Sequence, residues 1–474
     1  MADHDILVLG GGTGGYAAAF RAAQLGKRVA LVEQAKVGGT CLHWGCIPAK
    51  AMLETGDLLA KIGKASDFGI QLTPATGVDP AAVGARRDKI VARMHAGLKS
   101  LFKKNNVEII AGRATLLGGG SVEVALVNEI GVATGEKKSI SATDIVVATG
   151  SSVRRIPGLE TDGHVIVDSD QITTGTHKPA RVIVVGGGAV GCEFASYFRD
   201  LGAETTIVEM LPALVPLEDR DASKELTRAF TKRGIRTHVS HRIKEGSLVK
   251  SANGLSLQIE PVEGGEGATL AAEMLVVAAG RVPNSGNIGL EGTKAVVERG
   301  FVKVDAQMRT AEPHLYAVGD VIGGLQLAHV AAHEGLIAAH AIAGEPMHAI
   351  DYARQPRATY CRPEVASVGY TTQELERDGV PFVAGQVPFL AIAKAHVGGD
   401  ADGFCKVLRH AESGALLGVH MVGPKVTDLI AEASLAMELG ATAAQVGATT
   451  HPHPTLSEIV GEAALVSIGR SVNF

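Results

Sequence analysis

The chain has 474 residues, 46% hydrophobic and only 20% charged, which is enough apolar material for several cores and an expected two to four domains. A net charge of -5, with no basic run longer than Lys103-Lys104 or Lys137-Lys138, argues against general nucleic-acid affinity. No apolar run is long enough to span a membrane, because residues 328–344 are broken by His329, His333, Glu334 and His340; with no export segment ahead of the first strand and only five scattered cysteines, a cytoplasmic protein is expected.

The chain opens on Ile6-Leu7-Val8-Leu9, a strand, followed by Gly10, Gly12 and Gly15 in G-x-G-x-x-G register, an alanine-rich helix ending near Leu25-Gly26, and a second strand closing on Glu33. This is a dinucleotide-binding unit. The glycines let backbone approach a pyrophosphate, the helix N-terminus offers unpaired N–H groups to it, and the acid can accept hydrogen bonds from a ribose diol.

Just beyond lies Gly38-Gly39-Thr40-Cys41-Leu42-His43-Trp44-Gly45-Cys46-Ile47-Pro48-Ala49-Lys50, the layout of a reversible dithiol/disulfide. Residues five apart in a regular helix rise about 7.5 Å, beyond the roughly 7 Å Cα separation that a disulfide spans. Cys41 and Cys46 can therefore pair only if the turn is distorted, which Gly45 permits. Residues 52–105 read as helices separated by a Thr/Pro/Gly loop at 72–80.

The opening unit recurs 176 residues downstream: Arg181-Val182-Ile183-Val184-Val185 leads into Gly186, Gly188 and Gly191, and the following strand ends at Glu209. Gly10 to Glu33 and Gly186 to Glu209 are both 23 residues apart, so two dinucleotides are expected, one per unit. A carboxylate at the ribose position repels a 2'-phosphate, and no arginine follows Glu209 immediately, which favours NAD over NADP. A nicotinamide moves two electrons as hydride whereas a disulfide is reduced by thiolate exchange, and flavin is the usual converter between those forms.

Near the C-terminus, His451-Pro452-His453-Pro454 precedes Glu458. Oxidising a dithiol needs a proton acceptor near neutral pH, the natural range of histidine, and a carboxylate such as Glu458 can fix its tautomer if the chain turns at Pro454. No third ligand stands at short spacing from His451 and His453, so no metal site is expected. Strands are expected at 366–369, 404–407 and 416–420, with an apolar helix at 427–439, and residues 263–267 read as a hairpin or surface loop.

These motifs, together with Ala148-Thr149-Gly150, Ala279-Gly280-Arg281-Val282-Pro283-Asn284 and Leu315-Tyr316-Ala317-Val318-Gly319-Asp320, make the chain resemble the flavoprotein disulfide reductase family over nearly its whole length, and most closely its members that oxidise dihydrolipoyl groups with NAD. The resemblance implies an α/β fold with two Rossmann-like dinucleotide-binding domains and a C-terminal α+β dimerisation domain. The expected segments are 1–147 for FAD, 148–276 for NAD, a return to the FAD domain at 277–345, and an interface domain at 346–474. It implies Cys46 beside the flavin, Cys41 as the outer thiol that exchanges with substrate, Lys50 and Glu193 as an ion pair near the flavin, and Asp320 on the ribityl chain. Thr149, Gly150, Gly280 and Arg281 fall in its cofactor-binding motifs. His453, with Glu458, is expected to serve the partner subunit's flavin site in a homodimer.

The implied partners are lipoyl domains and the acyltransferase core of a 2-oxoacid dehydrogenase complex. Another FAD-dependent pyridine-nucleotide disulfide or metal-ion reductase is the alternative. His43, Trp44 and Ala49 depart from the usual pattern, which bears on rate and substrate range more than on reaction class.

Overall fold

The computed structural model describes residues 2–73, 77–128 and 131–473; three residues of the expected 72–80 loop lie outside them. The chain divides into two units, one built from Met1–Ala51, Gly84–Arg154 and Arg281–Tyr352, the other from Met52–Val83, Arg155–Gly280 and Ala353–Phe474.

The first unit is organised by the strand His4–Leu9, which pairs in parallel with Val29–Glu33 on one side and Ala133–Val147 on the other. Glu108–Gly118 and Leu315–Ala317 extend this parallel sheet outward, and the antiparallel strand Ser121–Val127 joins the far ends of Glu108–Gly118 and Ala133–Val147. The opening strand is a continuous apolar run because both of its faces are covered. Ile6 and Val8 face a core that includes Ala18, Ala22, Ile337 and Ala338, whereas Leu7 and Leu9 face one that includes Ile110, Val122 and Val124. Two helices, Thr13–Gln24 and Ala328–Ala343, supply the first of these cores. They approach closely through small residues: a Cβ on Gly335 would stand 2.4 Å from the Gly14 carbonyl oxygen.

The second unit holds a five-stranded parallel sheet in the order Ile235–His238, Glu204–Val208, Arg181–Val185, Met274–Val277, Ile166–Asp168. A small antiparallel sheet around Gly254–Pro261 accompanies it, and the residues expected at 263–267 as a hairpin connect that strand to Ala268–Ala272. The C-terminal segment forms a five-stranded antiparallel sheet with the helices Val426–Glu438 and Glu458–Ser467. The three expected strands are present in it, as Glu364–Gly369, Phe404–His410 and Leu416–Gly423. Its remaining strands, Arg357–Thr359 and Phe382–Pro388, carry no clear apolar alternation and were not read from the sequence.

The parallel-sheet segment and the C-terminal segment of this unit are joined by buried charge. Lys406, 4% exposed, donates to Asp219 at 3.0 Å, Asp221 at 2.6 Å and Thr372 at 2.6 Å. The fully buried Asp219 also accepts from the Thr372 N–H and hydroxyl.

Gly335→Ala should lower unfolding stability by about 2 kcal/mol, the usual cost of overpacking a tight contact. Denaturant titration measures it, and an unchanged midpoint would mean the two helices separate without cost.

Candidate active site

In both units the glycine turn opens a twelve-residue helix, Thr13–Gln24 or Ala189–Asp200, whose N-cap glycine, Gly12 or Gly188, offers no side-chain cap. The other glycines are required by contact. A Cβ on Gly15 or Gly191 would stand 1.9 Å from the carbonyl oxygen of Gly10 or Gly186, while a Cβ on Gly12 or Gly188 would meet nothing within 4 Å. Open space over uncapped helix N–H groups is what a pyrophosphate requires. Both turns therefore fit a dinucleotide. Gly10, at φ +112°, lies against the Ala148 carbonyl, and Gly186, at φ +109°, against that of Ala278, so the segments leading to Thr149-Gly150 and to Gly280-Arg281 repeat one arrangement.

The two acids are also placed alike. Glu33 accepts from the N–H groups of Gly11 and Ala35, each at 2.7 Å. Glu209 accepts from the N–H groups of Gly187 and Leu211. Each oxygen thus holds one backbone N–H and keeps a lone pair for a ribose hydroxyl. Burial raises the Glu33 pKa, against the pull of the Gly11 and Ala35 N–H groups.

The units differ at the next carbonyl. In the first, Gly11 O accepts from Gly38 N–H at 2.7 Å, and Gly39 packs so that a Cβ on it would stand 2.7 Å from the Gly12 Cα. In the second, Gly187 O accepts from Val215 N–H at 2.7 Å, in an apolar loop with Leu214 and Val215 buried. The cysteine turn occupies the slot that an aliphatic loop fills in the repeat.

Cys41 lies in the short helix Gly39–His43, and a second helix, Cys46–Gly63, begins at Cys46, so the break falls at Trp44-Gly45. Gly45 packs tightly there, with Thr40 O at 3.1 Å from its would-be Cβ. The Cys41 thiol is within hydrogen-bonding reach of Cys46; that contact and burial push it well above its ordinary pKa, opposed by the charge of Lys50 and a hydrogen bond from Thr13. A pair this close titrates as a unit: once one proton leaves, the remaining thiol donates to the thiolate. Cys41 and Cys46 are half-buried, whereas Cys192, Cys361 and Cys405 are buried, and burial raises all three of their thiol pKa values.

Asp320 is held from two sides. Ser151 donates to its carboxylate, and Arg281 grips Ser151 through the hydroxyl at 2.7 Å and the carbonyl at 2.8 Å, reaching Thr40 at 3.5 Å. On the other side the preceding N–H, of Gly319, donates at 2.7 Å to Glu334, a carboxyl 2% exposed that also accepts from the Tyr352 hydroxyl at 2.8 Å. Thr149 and Asn284 exchange side-chain to backbone hydrogen bonds at 2.8 and 3.0 Å. Ser151 and Glu334 carried no motif signal; only folding brings residues this far apart in sequence together.

In the second unit Glu193 is buried and accepts from the Tyr360 N–H at 2.9 Å. His453 Nδ1 lies 2.8 Å from Glu458, which also accepts from the Thr455 N–H at 2.9 Å. Burial works against ionisation of Glu458, but the Thr455 N–H and the imidazole outweigh it and hold its pKa below the ordinary value. The His453 side chain is 73% exposed. His451 is instead 10% exposed and sits 2.7 Å from Glu432. Among the described residues no group of three metal-ligating side chains is present.

Residues 4–335 match the family described as pyridine nucleotide-disulphide oxidoreductase, and residues 355–464 match its dimerisation domain. The chain belongs to the pyridine nucleotide-disulphide oxidoreductase family. Similar members of this oxidoreductase family include a dihydrolipoyl dehydrogenase of Bacillus subtilis, 42% identical over 100% of this chain and 99% of the relative. Another, of Zymomonas mobilis, is 40% identical over the whole of both chains. Among solved structures, LpdA from Mycobacterium tuberculosis superposes with a TM-score of 0.88 at 28% identity, covering 97% of this chain and 98% of that one.

Iodoacetamide added to the reduced native protein should label Cys41 and Cys46 alone, as read by peptide mass mapping. Rapid labelling of Cys192, Cys361 or Cys405 would contradict this placement of the thiols.

Proposed function

We propose that the protein is a dihydrolipoamide dehydrogenase, oxidising protein-bound dihydrolipoyl groups to lipoyl with reduction of NAD⁺ to NADH. The observation that carries this is the Cys41/Cys46 pair seated on the carbonyl of the first dinucleotide turn, in a chain with a second such turn. The full-length similarity to dihydrolipoyl dehydrogenases supports the choice of substrate.

The first turn, with Glu33, Thr149, Gly150 and the Arg281-Ser151-Asp320 network, would hold FAD; the second, with Glu209 and Gly280, would hold NAD. Segments 1–147 and 277–345 then serve FAD, 148–276 serves NAD, and 346–474 forms the homodimer interface. FAD, when bound, supplies two-electron transfer between dithiol and nicotinamide.

The protein's own groups perform the exchange. His453, its Nδ1 fixed by Glu458, takes a proton from a substrate thiol through Nε2. The resulting thiolate attacks Cys41 Sγ of the Cys41–Cys46 disulfide and releases the Cys46 thiolate. The second substrate thiol then attacks the substrate sulfur of this mixed disulfide, passing its proton to the departing Cys41 sulfur, which closes the lipoyl ring and leaves Cys41 as thiol, Cys46 as thiolate and His453 protonated. Lys50 stabilises the negative charge on the sulfur pair, and its pairing with Glu193 belongs to the same proposal. The high exposure of His453 suits a base that serves a second subunit. Free buried thiols suit a reducing cytoplasm, and a lipoyl domain on the acyltransferase core of a 2-oxoacid dehydrogenase complex is the natural source of substrate.

Glu209 should make kcat/KM at least ~10-fold better for NAD(H) than for NADP(H), about 1.4 kcal/mol. Equal efficiencies at matched salt and pH would remove this role for the acid.

Cys41→Ser should abolish dihydrolipoamide turnover, as should His453→Ala. If the histidine acts across the subunit boundary, mixing the two inactive homodimers under subunit exchange restores about one quarter of wild-type activity, since half the dimers are mixed and each has one complete site. Exchange confirmed by mass with no activity regained would place His453 elsewhere in the reaction.

A further inference from the structure

His43, between the two cysteines, turns away from the sulfurs. Its Nε2 lies 2.9 Å from the Val37 carbonyl oxygen, and His95 Nδ1, from the helix Pro80–Lys104, lies 3.1 Å from the same oxygen. A carbonyl only accepts, so both nitrogens carry protons, which fixes the Nε2–H tautomer of His43 and the Nδ1–H tautomer of His95. The rings meet edge to face with centroids 4.9 Å apart, and Trp44 lies against His43 with centroids 5.3 Å apart.

The bonded carbonyl belongs to the Val37–Gly38 peptide, whose N–H is the one that donates to Gly11 O in the nucleotide turn. That peptide is therefore held at both ends, by two imidazoles on one side and by the dinucleotide loop on the other. Cys41 follows within one helical turn.

We propose that His43 and His95 are positioning residues for the redox turn, acting together through the Val37–Gly38 peptide while both rings are neutral. The inference rests on the dithiol reading above and adds a control to it. Burial lowers the pKa of both rings and outweighs the Val37 carbonyl, whose hydrogen bond favours the charged form; the charges acting on them, Lys36 on each, Lys99 on His95 and a protonated His95 on His43, also oppose protonation. The folded pKa values thus lie below the unfolded value of about 6.5. Acidification protonates the unfolded chain first, so the stabilisation is complete above that value and is lost as the pH falls through the folded values. Two imidazolium ions at this spacing repel each other and the lysines, which loosens the peptide and with it the seat of Cys41.

The test compares wild type with H43Q/H95Q, whose amides can still donate to Val37 O but never charge, and with H95L, which loses a donor. In the reduced holoenzyme, the ratio of Cys41 to Cys46 alkylation by iodoacetamide is read by peptide mass mapping between about pH 7.5 and about pH 5.5, alongside the thermal midpoint. Wild type should show a shift in the ratio below about pH 6.5, with about 4 °C more loss of midpoint than H43Q/H95Q, whose ratio stays closer to its neutral value. H95L should show an altered ratio already at neutral pH.

Identical pH profiles in wild type and H43Q/H95Q would overturn the proposal, as would a midpoint difference without any change in ratio, which is the mark of a purely structural contact. If H95L does not fold, the comparison with H43Q/H95Q decides. The ratio is read without lipoyl substrate, so absent dihydrolipoamide turnover would overturn the assigned substrate and leave this result standing.

Discussion

The contact on which the site depends is backbone against backbone: Gly39 on Gly12, with the Gly38 N–H on the Gly11 carbonyl. A side chain at position 39 would overlap the nucleotide turn, so the redox turn can sit there only because position 39 has none. Once seated, the cysteines inherit the rigidity of a parallel sheet buried on both faces. The acid at the end of the second strand completes the chain of support, since Glu33 holds the Gly11 N–H whose carbonyl holds the cysteine turn. Glycine turn, strand-end acid and cysteine turn are thus one hydrogen-bonded object rather than three neighbouring motifs.

The site's second support arrives from distant sequence. Arg281 reaches Ser151 and Thr40, Ser151 reaches Asp320, and Glu334 fixes the peptide ahead of Asp320. Ser151, Arg281, Asp320 and Glu334 lie on segments that the chain contributes to the first unit after leaving it and returning. A buried carboxyl such as Glu334 is costly unless it is hydrogen-bonded, and here one oxygen holds the Gly319 N–H ahead of Asp320 while the other accepts from the Tyr352 hydroxyl.

Much of this was legible from sequence where local pattern and chemistry coincide. The glycine spacing, the apolar run at Ile6-Leu7-Val8-Leu9, the cysteine spacing with Gly45 between, and the five-residue offset of His453 and Glu458 each correspond to a contact now described. What stayed hidden is non-local. Phe382–Pro388 contains Gly385, which reads as a strand breaker, yet the position is small because a Cβ would stand 2.3 Å from the Ala463 carbonyl. His95 is a single histidine on a polar helix, and nothing in its neighbourhood announces that it meets His43. Conversely His43, which the sequence shows only as a departure from the usual pattern between the thiols, is directed to the Val37 carbonyl, and burial lowers its pKa.

The slot at the glycine-turn carbonyl also marks where the two copies of the repeated unit part ways. Both copies keep the same fingerprint, the same acid and the same acceptor, Gly11 O or Gly187 O, and they diverge in the short segment that docks there. The second copy spends that position on Leu214 and Val215, buried against its own core. Point changes to cysteine in that loop would leave its backbone path unaltered and would hollow out the packing beneath it. The asymmetry between the copies is therefore that of a whole docking segment rather than of single side chains: one presents the cysteine pair, and the other seals the same position with aliphatic side chains that belong to its core.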